Sequence, residues 1–400
     1  MKEDQDTSEK YIRIGTNLFK QVKRPLISGD FILENIAWSY ETLRQDYTKD
    51  SFPVISKYDG CCIIPDNVNY QHVYGTYLNQ YEPINHIPCS GNFYNIRMFF
   101  EHIFGEQIEL GFDYLQILYT RPIQMLPILL LVSDLRQTGK TTFIRFIKMI
   151  FGKNATFNSN QDFQSQFNSD WVNRLVILVD ELMLNRIQDT EMLKNLSTAG
   201  EYKMEGKNKD RKEIEFFAKF IMCSNNELNP IIIQPEEVRF WVIKINKVEC
   251  DNVSLRDEMG KEIPHFLHFL LHRELSTRNE SRMWFNPVLL ETAALRKIKR
   301  YNTNKIEIEM ATYCKDVMDC KCQNKILCCA KDFLNVISDT GLKTDISHIR
   351  NILKDSWRLN SERNGEYTFY LIGIDGELIP MKRKGRFVEV SLELVNKILL

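Results

Sequence analysis

The sequence predicts an α/β fold, and three observations carry that reading. "MLPILLLVS" (125–133), "RLVILVDE" (174–181) and "KFIMCSNN" (219–226) are apolar runs of strand length. Helical periodicity fills much of the chain around them. The first run passes through a short polar loop straight into a helix, in "LLLVSDLRQTGKTTFIRFI", residues 129–147. Unbroken apolar runs suit strands covered on both faces, and their alternation with helices is an α/β pattern.

Taken in order, residues 1–93 read as a small N-terminal α+β region. Short β-like runs ("YIRI", "GDFILENIAW", "CCIIPD") are punctuated by Pro65-Asp66-Asn67 and Pro83-Ile84-Asn85. The first ten residues are polar and acidic with no apolar segment behind them, so they predict a frayed tail and no signal peptide. Residues 94–300 form the central unit. "NIRMFFEHIF" and "GFDYLQILY" have a helical period. In the helix after the loop, Phe143, Ile144, Phe146, Ile147, Ile150 and Phe151 lie on one face and Gly152 stops it. A helical run at 189–196 and a charged turn-like segment precede the third strand, "EEVRFWVIKI" holds a strand-like run, and helices resume after about 245. Residues 301–400 offer "AKDFLNVIS", a turn at Gly341, "DISHIRNILKDSW", then strands around Gly376. Two helices followed by strands predict a winged-helix-like C-terminal domain.

Composition narrows the classes. The net charge is −1 from 52 basic and 53 acidic residues, so any nucleic-acid contact must come from a local cluster. The longest apolar run, Met125 to Val132, is far short of the roughly 20 residues a bilayer demands. A cytoplasmic protein without a membrane partner is expected. The ten cysteines are expected to be reduced thiols. Five of them, Cys314, Cys320, Cys322, Cys328 and Cys329, crowd together without the paired spacing of a zinc knuckle, leaving zinc or simple packing open. His265, His268 and His272 share a helical face and read as helix packing.

The strand–loop–helix carries the chemistry. A helix N-terminus presents free N–H groups and a favourable dipole to an anion. Thr138, Gly139, Lys140, Thr141 and Thr142 form the end of a phosphate-binding loop, with Lys140 placed for the β- and γ-phosphates of ATP and Thr141 for Mg²⁺. Asp134 stands where the strict pattern has glycine, so Ser133 and Asp134 must shape the turn from their own side chains, with the carboxylate directed away from phosphate. About forty residues on, the second strand ends in Asp180-Glu181: Asp180 to hold Mg²⁺, Glu181 to orient or deprotonate water. Asn225 ends the third strand, where an amide can sense the γ-phosphate. Arg239 precedes the next strand and is suited to a neighbouring subunit's γ-phosphate.

This order of motifs resembles the superfamily 3 helicases, compact AAA+-like P-loop ATPases. "DFQSQFNSDW", "LVDE", "MLKNLSTAGEYKMEGKNKDRKEIEFFAKFIMCSNNE" and "PEEVRFWV" look more closely like primase-helicase family proteins of bacterial mobile elements, phages and plasmids, over roughly 95–290. The resemblance implies a homo-hexamer on single-stranded DNA and a hairpin whose basic tip lines the central channel. Here that segment is "YKMEGKNKDRKEIEF", and Lys203, Lys207 and Lys209 are its DNA-binding residues. Primase activity is not expected of this chain, because the only Asp-x-Asp is Asp4-Gln5-Asp6 and some 90 residues are few for a polymerising domain; a primase or initiator is a candidate partner. Two other readings stand beside the helicase: a DNA-binding replication initiator or accessory protein with a weak nucleotide site, and a phosphate-loop kinase for a small metabolite.

Overall fold

A computed structural model describes residues 10–25, 27, 31–48, 51–165, 167–184, 186–207, 210–248, 252–302, 305–339, 344–359, 364–372 and 377–399. The N-terminal tail, Lys209 and the turns at Gly341 and Gly376 lie outside them. The chain opens with β1 (Lys10–Ile14), β2 (Asn17–Pro25), β3 (Phe31–Trp38), α1 (Tyr40–Asp46) and β4 (Ile55–Tyr58). These strands pair in the order β3-β2-β1-β4 over a small core of Tyr11, Leu18 and Leu43. A minor sheet of β5 (Gly60–Cys62), β6 (Val73–Tyr74) and β7 (Tyr77–Asn79) follows.

Helices α2 (Tyr94–Phe104) and α3 (Ile108–Thr120) lead into the central sheet. Its elements are β8 (Ile128–Val132), α4 (Lys140–Phe151), β9 (Ala155–Asn158), β10 (Val176–Val179), α5 (Ile187–Leu196), β11 (Glu201–Met204), β12 (Lys212–Glu215), β13 (Lys219–Ser224) and β14 (Phe240–Lys244). Five of these strands pair in the order β14-β8-β13-β10-β9, every pair parallel. The chain is therefore mixed α/β with a five-stranded parallel sheet.

The apolar runs lie there because both faces of the sheet are covered. Leu129, Leu131, Leu178, Ile221 and Trp241 pack on one side with α2, α3, α4 and α6 (Leu255–His272). Their alternates Ile128, Leu130, Ile177, Phe220 and Val242 pack on the other with Leu193 of α5 and Leu295 and Ile298 of α8 (Ala293–Asn302), which follows the short α7 (Pro287–Leu290). Strand β9, "ATFN", was not foreseen: four residues with Phe157 46% exposed carry no apolar run. The expected second strand is shorter than its motif, for β10 stops at Val179 and leaves Asp180-Glu181 beyond it.

The last part of the chain contains α9 (Lys305–Lys321), β15 (Lys325–Cys328), α10 (Ala330–Asp339), α11 (Ile346–Asn351), β16 (Asn364–Ile372), β17 (Leu378–Arg386), β18 (Val388–Ser391) and α12 (Leu392–Leu399). Helix α11 runs on into a π-turn over Ile352–Ser356. β16 and β17 form an antiparallel hairpin, and β15 pairs antiparallel with β18. Cys314 and Cys328 are buried here and Cys320 and Cys322 exposed. Elsewhere His268 and His272 stack their rings at 4.1 Å. Among the described residues no helix is long and apolar enough to cross a membrane.

Candidate active site

The site forms where β8, β10 and β13 end. Open α/β sheets bind ligands beyond the carboxyl ends of their strands, where strand order reverses. Here the chain leaves β8 for the β9 edge and later returns past it to β14 on the other side.

After Val132 the backbone runs through 133–139 into α4. Gly139 has φ +86, in the left-handed region that favours glycine, and a Cβ there would stand 3.1 Å from the Phe99 ring of α2. His102, one turn along α2, sets its Nε2 3.0 Å from the Thr138 carbonyl oxygen. The loop is thus braced from behind. No side chain caps the first turn of α4, which leaves that end open to an anion. Lys140, its first residue, is only 6% exposed. Its Nζ donates to the Ser133 carbonyl oxygen at 3.0 Å, to the Leu135 carbonyl oxygen at 3.4 Å and to Thr138 Oγ1 at 3.2 Å. Burial pushes the Lys140 pKa down, against the pull of Cys223, Asp180, Glu227 and Asp134.

Asp134 meets the demand that the missing glycine raised. Its Oδ1 accepts from the Glu227 amide at 2.8 Å, while its own amide donates to Glu227 Oε1 at 3.2 Å. The Leu135 amide donates to Ser133 Oγ at 3.3 Å, and Gln137 takes φ +56. The turn is shaped by hydrogen bonds to side chains. Glu227 is buried, and burial alone would raise its carboxyl. Lys244 at 2.9 Å, the Asp134 amide and Lys297 at 3.4 Å outweigh it and hold the pKa below the ordinary value.

Across from the loop, Thr141 Oγ1 donates to Asp180 Oδ2 at 3.0 Å. Glu181 Oε1 accepts from Asn225 Nδ2 at 3.4 Å, which joins the ends of β10 and β13. Glu181 has φ +59, unusual for a residue with a Cβ. Its backbone is held by Asn160, whose Nδ2 donates to the Glu181 carbonyl oxygen at 3.2 Å and whose Oδ1 accepts from the Met183 amide at 3.2 Å. Beneath them Ser224 Oγ donates to the Leu182 carbonyl oxygen at 2.7 Å.

Lys140, Thr141, Asp180, Glu181 and Asn225 are thereby gathered at one end of the sheet. Arg239 is not among them. It sits at the start of β14, where its carbonyl oxygen accepts from the Ile128 amide at 2.8 Å. That is the opposite end of a five-residue strand, about 17 Å away at the usual rise. Its guanidinium lies 3.2 Å from Glu237, which also takes Lys194 at 3.0 Å. Strands β11 and β12 pair as an antiparallel hairpin with Lys203 and Lys207 exposed. Arg211 is tied to Glu205 at 2.6 Å. Glu227, Asn160 and His102 were not foreseen, since nothing local marks their reach to the loop.

No curated protein is similar in sequence at a significant level. Residues 131–239, from the end of β8 to Arg239, match a family of unknown function, DUF5906. The apo structure of the NrS-1 C-terminal region (305-718) is similar at a TM-score of 0.64 and 16% identity, covering 95% of this chain and 96% of that one. An A-form apo structure of the same region gives 0.63 with the same identity and coverage. The shared fold extends over nearly the whole chain.

Proposed function

We propose that the chain is an ATP- and Mg²⁺-dependent DNA helicase, moving on single-stranded DNA in the replication of a plasmid, phage or integrated mobile element. The observation that carries the reading is the 3.0 Å contact between Thr141 Oγ1 and Asp180. A hydroxyl at a helix start and a carboxylate at the next strand end form the hard-oxygen pair that Mg²⁺ takes beside phosphate. The open first turn of α4 and the close approach at Gly139 suit a phosphate chain. In this reading residues 94–300 are an AAA+-like P-loop core, 1–93 an accessory α+β region and 301–400 a winged-helix-like domain.

Bound Mg²⁺ would neutralise charge on the phosphates as the terminal bond breaks. The rest falls to side chains. Thr138, Gly139 and Thr142 line the loop, and Lys140 exchanges its loop oxygens for phosphate oxygens. Thr141 and Asp180 hold the metal. Glu181, steadied by Asn225, accepts the proton of the attacking water. Arg239 cannot reach its own chain's loop, which accords with a role on the next subunit of a homo-hexamer. Lys203, Lys207 and Lys209 grip the DNA, and a primase or initiator is the partner this reading expects.

A second reading, a replication initiator or accessory protein with a weak nucleotide site, draws on Lys140 being engaged by the loop's own oxygens. Strand displacement on a forked duplex separates the two. The helicase reading expects unwinding that requires Mg²⁺ and ATP and disappears in Lys140→Ala and in Lys207→Ala. DNA binding without unwinding would overturn it.

A further inference from the structure

The β16–β17 hairpin has two chemically different faces. Residues directly opposite in an antiparallel pair point the same way, and successive residues point to opposite sides. One face carries Tyr367 and Phe369, both buried in the C-terminal core, with Arg383 opposite Tyr367. Arg383 is consumed structurally: its guanidinium pairs with buried Asp332 and lies 4.4 Å over the Phe369 ring, while Tyr367 donates its hydroxyl to Asp332 at 2.6 Å.

The other face holds Thr368 and Tyr370 on β16, opposite Lys382 and Pro380 on β17, with Lys384 and Arg386 continuing the row. All three cations of the row are exposed. Among the described residues none of them has a carboxylate within salt-bridge distance. Lys321, at the end of α9, adds a fourth charge by placing its Nζ 5.3 Å over the half-buried Tyr370 ring. Glu366, opposite Lys384, is the acid on this face.

We infer that this face is a second nucleic-acid surface, which takes the sugar-phosphate backbone of a single strand along Lys382, Lys384 and Arg386 and a base against Tyr370. Cations at alternate strand positions recur about every 6.6 Å, which suits a polymer whose charge repeats along its length. A neighbouring aromatic ring supplies the stacking contact that sequence-tolerant single-strand binding uses. The neutral chain thus has a basic face built by strand alternation. The surface lies outside the sheet end that holds the proposed ATPase site, and it needs no nucleotide to work.

The test is fluorescence anisotropy of the full chain with fluorescein-labelled oligothymidylate, without nucleotide, across a salt series. The triple variant Lys382→Gln, Lys384→Gln, Arg386→Gln is expected to bind at least tenfold more weakly. Its log–log salt slope should be shallower by about 2, at roughly 0.7 for each phosphate the variant fails to neutralise. Tyr370→Leu is expected to weaken binding several-fold without changing the slope. The same losses are expected in a chain already carrying Lys203→Gln and Lys207→Gln, so the result does not depend on the helicase reading. Unaltered affinity and slope in the triple variant, with an unaltered melting temperature, would overturn the inference. So would retained DNA binding with selective loss of poly-glutamate binding, which would assign the face to an acidic polypeptide.

Discussion

Asp134 stands in place of a glycine, and its side chain makes a hydrogen bond that glycine could not. Its carboxylate is taken by the Glu227 amide and its amide by the Glu227 carboxylate. The sequence suggested that Ser133 and Asp134 would shape the turn. It could not show Glu227, which lies 93 residues away and whose placement depends on how β13 packs beside β8. Asp134→Ala is expected to cost about 1 kcal/mol, seen as a lower melting temperature, and to weaken ATP binding because Lys140 is held by the same loop. Lys219 makes a separate prediction. It is 3% exposed, its Nζ donates to the Phe217 carbonyl oxygen at 2.7 Å and to that of Pro122, and burial pushes its pKa down to about 7. Below pH 7 the full penalty of a buried charge is present. As pH rises from about 7 toward the ordinary lysine value, the folded state gives up its proton while the unfolded chain keeps it, so stability rises. Relative to Lys219→Met, denaturant titrations should show the wild type gaining a few kcal/mol over that window; parallel curves would count against it.

At the level of elements, β8, β10 and β13 were legible because each is buried on both faces and reads as an apolar run. β9 was invisible for the converse reason. The ends of the strands were legible as chemistry: Asp180-Glu181 and Asn225 fall one or two residues past the last ladder position, where side chains are free of the sheet. The positive φ of Glu181 and the Asn160 bonds that hold it came only from tertiary structure. The β11–β12 pair formed where the family resemblance put a hairpin, with Glu201–Met204 paired antiparallel to Lys212–Glu215. Lys203→Ala with Lys207→Ala is expected to leave basal ATP hydrolysis intact and remove its stimulation by single-stranded DNA. Stimulation that survives the double substitution would detach the hairpin from DNA.

Across the whole molecule, the sheet order places Arg239 and the Lys140 loop at opposite ends of neighbouring strands. The sequence showed both residues and their order, but the distance between them required the parallel register of β14 with β8. If Arg239 serves a neighbouring subunit, Arg239→Ala should bind ATP normally and hydrolyse it at least a hundredfold more slowly. In sedimentation experiments ATP and DNA should drive the wild type into a ring-sized assembly; a monomer under those conditions would contradict the trans role. The most direct test of an ATPase motor is steady-state phosphate release with and without single-stranded DNA, for wild type, Lys140→Ala and Asp180→Asn. Release that DNA accelerates and that both substitutions abolish is the expected result, whereas slow release indifferent to DNA and to Lys140 would contradict it.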